Sequence, residues 1–360
     1  MDIKKIAASL EQSNATISMF ADGFIDEVFE LVNSRTSLTD YIIMGQMKQF
    51  AERITLAGSG GMSIETIKKR RTIGGFTANI GDAAARLGVN TTMFGLYGKE
   101  KLDPLYEPLG SICRLISLGD PATVNALEFD DGKILLPHME AVTKLCWSDI
   151  VDALGEEEIV SILSASDIVG VGYWSSMPAF DDIFAKICAL IPRDNKQRRF
   201  FFDFADLRKR EEACLVSSLL NLKAYNDEFP MTLSLNEHEG TIICELYGEN
   251  LSEAGCPIPE KLESVREKMG LDELVIHTPQ YAVAATHAGG ADIISQRYCA
   301  KPVRSAGAGD TFNGGYIAGI LAGLDITERL QVANAAVYYF LNNGFPPSQN
   351  DLIDELSRTL

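Results

Sequence analysis

Residues 303–324 read Val-Arg-Ser-Ala-Gly-Ala-Gly-Asp-Thr-Phe-Asn-Gly-Gly-Tyr-Ile-Ala-Gly-Ile-Leu-Ala-Gly-Leu, a glycine turn that runs straight into an apolar segment of helical character. Gly307 and Gly309 carry no side chain, so a bulky anion can approach their backbone. The first amides of a helix have no partner within it, and a phosphate on the amides of Ala308, Gly309 and Asp310 would satisfy them. The carboxylate of Asp310 would then suit a base that takes a proton from an attacking hydroxyl. An ordinary loop-to-helix turn with an acid in its first turn fits the same residues.

The composition narrows the class of protein. The chain has 360 residues, 46% of them hydrophobic, and a formal charge of −18, which disfavours binding to nucleic acid or anionic membranes. The charge does not exclude a phosphate ligand, because a local group of amides can outweigh a distant net charge. No apolar run reaches the ~20 residues of a membrane helix, and the N-terminus lacks a signal-peptide core. The seven cysteines form no Cys-x-x-Cys pair. We therefore expect a cytoplasmic globular protein.

Beyond about residue 149, apolar strands alternate with helices. Such alternation predicts a parallel sheet covered by helices on both faces. No Pro- or Ser-rich linker divides the chain, and no internal repeat is visible. The sequence therefore predicts a single α/β domain over residues 1–360.

The N-terminal half contains extended segments and two predicted helices, the second of which is a small-residue helix over 79–87. The predicted strands span 16–21, 25–32, 63–73, 91–97, 122–129 and 133–137. Apolar residues at roughly helical spacing predict a helix over 37–56, and Asp130-Asp131-Gly132 is a strong hairpin signal. Because strand 63–73 is polar, at least one of its faces is expected to be wet. We assign segments 25–73 and 122–137 to a small β lid over the main sheet.

Polar turns follow several predicted strands, where ligands of doubly wound sheets bind. These turns lie around Asp26, at Gly74–Asn79, at Asn236-Glu237-His238-Glu239 and at Gly307–Asp310. Asn236 and Glu239 are three residues apart, so at a helix start both side chains could face one pocket. The same pair also suits a helix cap with an acid in the first turn.

In this order, the four motifs resemble the ribokinase-like (PfkB) carbohydrate kinase family. Gly307-Ala-Gly-Asp310 matches the family's Gly-Ala-Gly-Asp signature, and Asn236-x-x-Glu239 looks like its Asn-x-x-Glu motif. Gly74-Gly75-x-x-x-Asn79 is the second specific match, and Asp26 stands where the family has its substrate aspartate. The resemblance implies a three-layer α/β/α fold with a mostly parallel sheet and a small β lid. It also implies a sugar or nucleoside kinase that uses ATP and Mg²⁺.

The resemblance also implies roles for individual residues. Asp310 would be the general base, and the amides of Gly307, Ala308 and Gly309 would form the anion hole. Asn236 and Glu239 would organise Mg²⁺ and the phosphates through water. The acceptor would be held by Asp26, Gly74, Gly75 and Asn79. The nucleotide base would be bound near Asn334, Asn343 and Gly344.

At two positions the sequence departs from the family pattern in residues that are expected near the phosphates of the nucleotide. Arg304 stands where relatives often have an acid that shapes a monovalent-cation site. Our hypothesis is that Arg304 supplies a fixed positive charge in place of potassium. Strong activation of the enzyme by K⁺ would refute this hypothesis. His277-Thr278-Pro279 replaces the family's Thr-x-Gly nucleotide turn, which affects the donor contacts. His277 has no partner histidine at ligand spacing, so no metal or acid–base role is assigned to it.

Other functions remain open at the level of sequence. An ADP-dependent sugar kinase shares the sheet and the final Gly-x-Gly-Asp pattern. A catalytically silent sugar or nucleoside sensor is a third possibility, although the retained Asp310 argues against it. A lid made of strands leaves edges that a second copy could cover, which would give a homodimer.

Overall fold

The computed structural model describes residues 2–251 and 257–358. Within those ranges the strands are β1 (Thr16–Phe20), β2 (Phe24–Arg35), β3 (Tyr41–Ile43), β4 (Thr66–Gly74), β5 (Asn90–Leu96), β6 (Arg114–Gly119), β7 (Ala122–Phe129), β8 (Gly132–His138), β9 (Ile168–Val171), β10 (Arg199–Asp203), β11 (Met231–Asn236), β12 (Glu273–His277), β13 (Tyr281–Thr286) and β14 (Gly290–Ser295). The helices are α1 (Ile3–Gln12), α2 (Met47–Ala57), α3 (Phe76–Arg86), α4 (Glu107–Gly110), α5 (Glu140–Lys144), α6 (Trp147–Leu154), α7 (Glu156–Ala165), α8 (Phe180–Leu190), α9 (Glu212–Asn226), α10 (Glu237–Leu246), α11 (Ile258–Met269), α12 (Ala308–Leu321), α13 (Ile326–Asn343) and α14 (Gln349–Ser357). None of these helices has the length and apolar composition needed to span a lipid bilayer.

A nine-stranded sheet forms the centre of the molecule, in the order β14-β13-β12-β11-β10-β9-β1-β5-β6. Its strands are parallel from β6 to β12, and β13 and β14 add an antiparallel edge. Both faces are buried, as β10 illustrates: Phe200 and Phe202 belong to one apolar cluster and Phe201 to the other. Helices cover each face, which confirms the predicted three-layer α/β/α class with a mostly parallel sheet.

A second sheet of five strands lies apart from the central one. Its order is β3-β2-β7-β8, with β4 also paired to β2. Helix α2 packs on it through Phe50, whose ring centroid lies 6.1 Å from that of Phe129, and Leu31 and Met44 are buried in the same small cluster. These strands occupy the predicted lid segments 25–73 and 122–137. Their action as a lid stays a prediction.

The predicted helix over 37–56 is wrong in its first part. Tyr41–Ile43 instead forms the edge strand β3, paired to Arg35, Ser34 and Val32 of β2, and the helix begins only at Met47. Helical spacing of apolar residues was outweighed here by strand pairing, since β2 offers an open edge beside the segment. The sequence also suggests an extended segment over residues 293–303, whereas β14 ends at Ser295. Helices α1, α4, α5, α6 and α14 were not predicted.

Candidate active site

The glycine turn before α12 has the conformation that its sequence suggests. Gly307 has φ +91° and precedes the first helical residue, Ala308. A side chain at that φ would be strained. At Gly309, a Cβ atom would lie 3.0 Å from Cε1 of His277. The turn therefore leaves its backbone open at the start of α12, where the helix dipole favours a negative charge.

Asp310 lies in the first turn of α12 and is buried. Its Oδ2 accepts a hydrogen bond of 2.9 Å from Nδ2 of Asn79, and its Oδ1 accepts one of 3.1 Å from the hydroxyl of Tyr173. Burial raises the pKa of Asp310 to about 8, with a further increase from the nearby Asp203, while the two hydrogen bonds act in the opposite direction. Such a carboxyl group can accept a proton near neutral pH.

Two cavities meet at Asp310 and Tyr173. The first, which we call the carboxylate cavity, has a volume of about 400 Å³. It is lined by residues that include Asp203, Asp206, Asn236, Glu239, His277 and Gly309. The second, the inter-sheet cavity, has a volume of about 480 Å³ and lies between the two sheets. It is lined by residues that include Asp26, Gly74, Gly75, Asn79, Lys133 and Arg304. A group bound in either cavity can therefore reach the same carboxylate.

In the carboxylate cavity, Asn236 and Glu239 form a reciprocal helix cap. Oδ1 of Asn236 accepts from the amide of Glu239 at 3.1 Å, and Oε2 of Glu239 accepts from the amide of Asn236 at 3.0 Å. Glu239 is nevertheless part of the cavity wall, and burial raises its pKa to about 7. Asn236 and Glu239 therefore both cap α10 and line the cavity. His277 lines the same cavity, and burial lowers the pKa of its ring to about 4, so the ring is neutral at pH 7.

In the inter-sheet cavity, the predicted acceptor residues come together. Asp26 of β2 lies beside the end of β4, where a Cβ on Gly74 would be 3.0 Å from Oδ1 of Asp26. Burial raises the pKa of Asp26, whereas the positive charges of Lys133 and Arg304 lower it. The set of Asp26, Gly74, Gly75 and Asn79 was predicted from separate motifs, and the fold brings all four to one cavity wall.

Asp22 has a structural role that its place between the first two predicted strands does not indicate. Its carboxylate is buried and accepts from the first amides of α3, those of Phe76 at 2.9 Å and Thr77 at 2.8 Å. Asp22 therefore caps α3 from another part of the chain and fixes the helix turn that carries Asn79. Burial raises the pKa of Asp22 to about 6. The available signal was an acid directly after the apolar run Met19-Phe20-Ala21.

A buried polar chain behind Asp310 was also missed. Nδ2 of Asn313 donates to Oδ2 of Asp203 at 3.0 Å, and Oδ1 of Asn313 accepts from the hydroxyl of Ser234 at 2.6 Å. Asn313 follows Asp310 by three residues on α12. Its hydrogen bonds to Asp203 and Ser234 therefore fix the rotation of α12 against β10 and β11. Asn313 is an amide followed by eight residues without a charged or amide side chain, and this exception to the pattern was the available signal.

Four residues that were predicted to bind the nucleotide are not among those that line the carboxylate cavity. Arg304 lines the inter-sheet cavity, and its predicted cofactor-binding role stays a prediction. Asn334 donates to the carbonyl of Ser295 at 2.9 Å and so ties α13 to β14. Nδ2 of Asn343 donates to the carbonyl of Tyr339 at 2.8 Å within the same helix, and Gly344 ends that helix with φ +83°. In the structure, Asn334, Asn343 and Gly344 have structural contacts, and their nucleotide role stays a prediction.

The fold is that of ribokinase-like kinases of known structure. The ribokinase of Arabidopsis thaliana, solved with ribose and ATP, matches with a TM-score of 0.65 at 15% identity over 96% of this chain and 99% of that one. Phosphofructokinase-2 of Escherichia coli, solved with substrates and products, matches with a TM-score of 0.64 at 13% identity and the same coverage. At these identities the two structures establish the fold.

The sequence comparisons establish the family. Residues 3–358 match the model of the prokaryotic ketohexokinase family, and the chain belongs to that family. A ketohexokinase of Haloferax volcanii is 28% identical over 335 residues, which cover 92% of this chain and 88% of the relative. A ribokinase of Bacillus subtilis is 27% identical over 316 residues, covering 82% and 90%. The chain is thus a sugar kinase, a phosphotransferase with an alcohol group as acceptor.

Proposed function

We propose that this sugar kinase transfers the γ-phosphoryl group of ATP to a hydroxymethyl group of a ketohexose. The observation that carries the proposal is the position of Asp310, whose carboxylate lies where the carboxylate cavity and the inter-sheet cavity meet. One cavity would hold the nucleotide and the other the sugar. A ketohexose is favoured over other acceptors because the chain belongs to the prokaryotic ketohexokinase family.

In the proposed mechanism, Asp310 is the general base. The acceptor hydroxyl donates a hydrogen bond to Asp310 and loses its proton to that carboxylate as its oxygen bonds to the γ-phosphorus. The bond from the γ-phosphorus to the β,γ-bridging oxygen breaks, and the electrons leave with ADP. The amides of Gly307, Ala308 and Gly309 would stabilise the charge on the transferred group, aided by the dipole of α12. Asp26 and Asn79 would orient the hydroxyls of the sugar.

The residues around the carboxylate cavity suit Mg²⁺ that enters with the nucleotide. Carboxylate oxygens and water are the ligands that Mg²⁺ prefers, and the cavity wall includes Asp203, Asp206 and Glu239. Asn236 and Glu239 would hold the ion through water. Bound Mg²⁺ would offset the repulsion between these carboxylates and the nucleotide phosphates, and would supply charge stabilisation during transfer.

An acceptor and donor panel tests the proposal. Sugars and nucleosides are incubated with the purified chain, Mg²⁺ and either ATP or ADP, and phosphoryl transfer is measured. We expect transfer from ATP to a ketohexose. Transfer only from ADP would favour the ADP-dependent alternative, and tight binding of one sugar without any transfer would favour the sensor.

The raised pKa of Asp310 predicts a pH dependence. The base works only when ionised, and its pKa of about 8 lies above the ordinary value of 3.8, so activity is lost as pH falls through about 8. We expect kcat/KM to rise with pH through that range. Replacing Asn79 with alanine removes a hydrogen bond that stabilises the carboxylate, so the rise should move to higher pH. A pH–rate profile measures both, and a profile that is flat from about pH 6 to about pH 9 would contradict the assignment.

A further inference from the structure

Arg304 lies in the turn before α12, between the two sheets. Its Nη2 donates to the carbonyl of Ile73 at 3.2 Å, and its guanidinium carbon lies 5.4 Å from the ring centroid of Phe340. The same Nη2 is 3.6 Å from the position that a Cβ on Gly307 would occupy. The guanidinium is therefore close both to the proposed anion hole and to the inter-sheet cavity.

The charge of Arg304 has no carboxylate partner within 4.0 Å among the described residues, although the chain carries 50 acidic residues against 32 Lys and Arg. Arg70 provides the contrast. It lines, together with Arg304, a neighbouring cavity of about 150 Å³, but it forms hydrogen bonds of 2.9 Å and 2.5 Å with Glu128. A guanidinium has several N–H donors, and Arg304 uses one of them for Ile73. Its partial burial disfavours the charge, which is reflected in a lowered pKa. The carboxylates of Asp26, Asp310 and Asp82 act on this charge from beyond ion-pair distance. A part-buried cation that contacts no carboxylate directly among the described residues is suited to an anionic ligand.

We propose that Arg304 binds the phosphoryl group during its transfer, from the acceptor side. This inference rests on the proposed function. As the γ-phosphorus bonds to the acceptor oxygen and leaves the bridging oxygen, Arg304 donates hydrogen bonds to the non-bridging oxygens and neither gains nor loses a proton. The planar guanidinium can contact two of these oxygens at once, which a lysine ammonium cannot do. After transfer, the same contact holds the phosphate of the product.

Variants of Arg304 test this role. We expect R304Q to lower kcat by about 10³-fold, the lower end of the range for an arginine that stabilises phosphoryl transfer, with a change in acceptor KM below about tenfold. R304K should recover only a small part of the lost rate, and added guanidinium ion should partly restore R304A. The matched control is R70A, which removes an arginine that has its own carboxylate and should leave kcat near the wild-type value.

A binding measurement provides an independent readout. Calorimetric titration compares the affinity of wild type and R304Q for the sugar and for its phosphorylated product, without nucleotide. We expect R304Q to weaken binding of the product by about tenfold or more, since a charge-assisted contact is lost, and to leave binding of the sugar little changed. Equal losses for both, or a loss of melting temperature without rescue by guanidinium, would show a structural role and overturn the inference. If wild type transfers phosphate to no acceptor in the panel, the proposed function itself fails.

Discussion

Replacement of Asp310 with asparagine is expected to lower kcat by about 10³-fold, within the range that general-base catalysis contributes. An amide has nearly the shape of the carboxylate but cannot accept the proton of the acceptor hydroxyl. The hydrogen-bond partners Asn79 and Tyr173 remain in place, so binding of sugar and nucleotide should be largely retained. Steady-state kinetics and calorimetric binding measure the two effects. The control is D82N, which changes an aspartate of α3 that is paired with Arg86.

The same substitution should raise stability. The pKa of Asp310 in the folded protein is about 8, above its ordinary value of 3.8, so the folded state binds the proton more tightly than the unfolded state. This difference lowers wild-type stability progressively as pH rises from about 4 to about 8. D310N lacks the penalty, so its melting temperature should exceed that of wild type by a margin that grows with pH over this range. Unchanged turnover in D310N would refute the role of Asp310 as base.

The second large effect is expected at Glu239. Replacing it with glutamine keeps the size of the side chain but removes a carboxylate from the wall of the carboxylate cavity. We expect kcat to fall by about 10- to 100-fold, and the Mg²⁺ concentration for half-maximal activity to rise, because outer-shell ligands tune metal affinity by such factors. The measurement is a Mg²⁺ titration at saturating sugar and nucleotide.

The matched control for that experiment is E237Q. Glu237 lies in the same first turn of α10 but is exposed, so its replacement should leave the Mg²⁺ titration unchanged. Because Asn236 and Glu239 cap each other at the start of α10, replacing either residue should lower the stability of the fold. Melting temperatures are therefore measured alongside the kinetics. A fall in kcat that is matched by E237Q, or that leaves the Mg²⁺ dependence unaltered, would contradict a metal-linked role for Glu239.

The central sheet was predictable because its pattern is local. Buried parallel strands such as β10 are apolar on both faces, and the helices between them carry their own start and stop signals. The segment 37–56 was not predictable in the same way. Tyr41–Ile43 is extended only because β2 offers it hydrogen-bond partners, and no local property of its residues encodes that edge.

The residues of the site also differ in how far their roles depend on local sequence. Asp310, Asn79 and Asp26 could be singled out from the sequence, because each lies next to a glycine-containing turn with a recognisable order of residues, and their roles stay predictions. Asp22 and Asn313 act through partners that are distant in sequence, such as the amides of α3 and the carboxylate of Asp203, so their roles emerge only in three dimensions. Arg304 was noted as a departure from the family pattern. Its hydrogen bond to the carbonyl of Ile73, a residue distant in sequence, is visible only in the structure.

The cap that Asp22 places on α3 has a consequence for motion. The chain passes between the two sheets in the segment 21–23 and again at Gly75, and the carboxylate of Asp22 fastens these two crossings together. Asn79 is thereby anchored to the central sheet, whereas Asp26 belongs to the second sheet. In the proposed function, a sugar held by both residues would connect the two sheets. A hinge rotation of the second sheet would then change the distance between Asp26 and Asn79, while the contact between Asn79 and Asp310 is preserved.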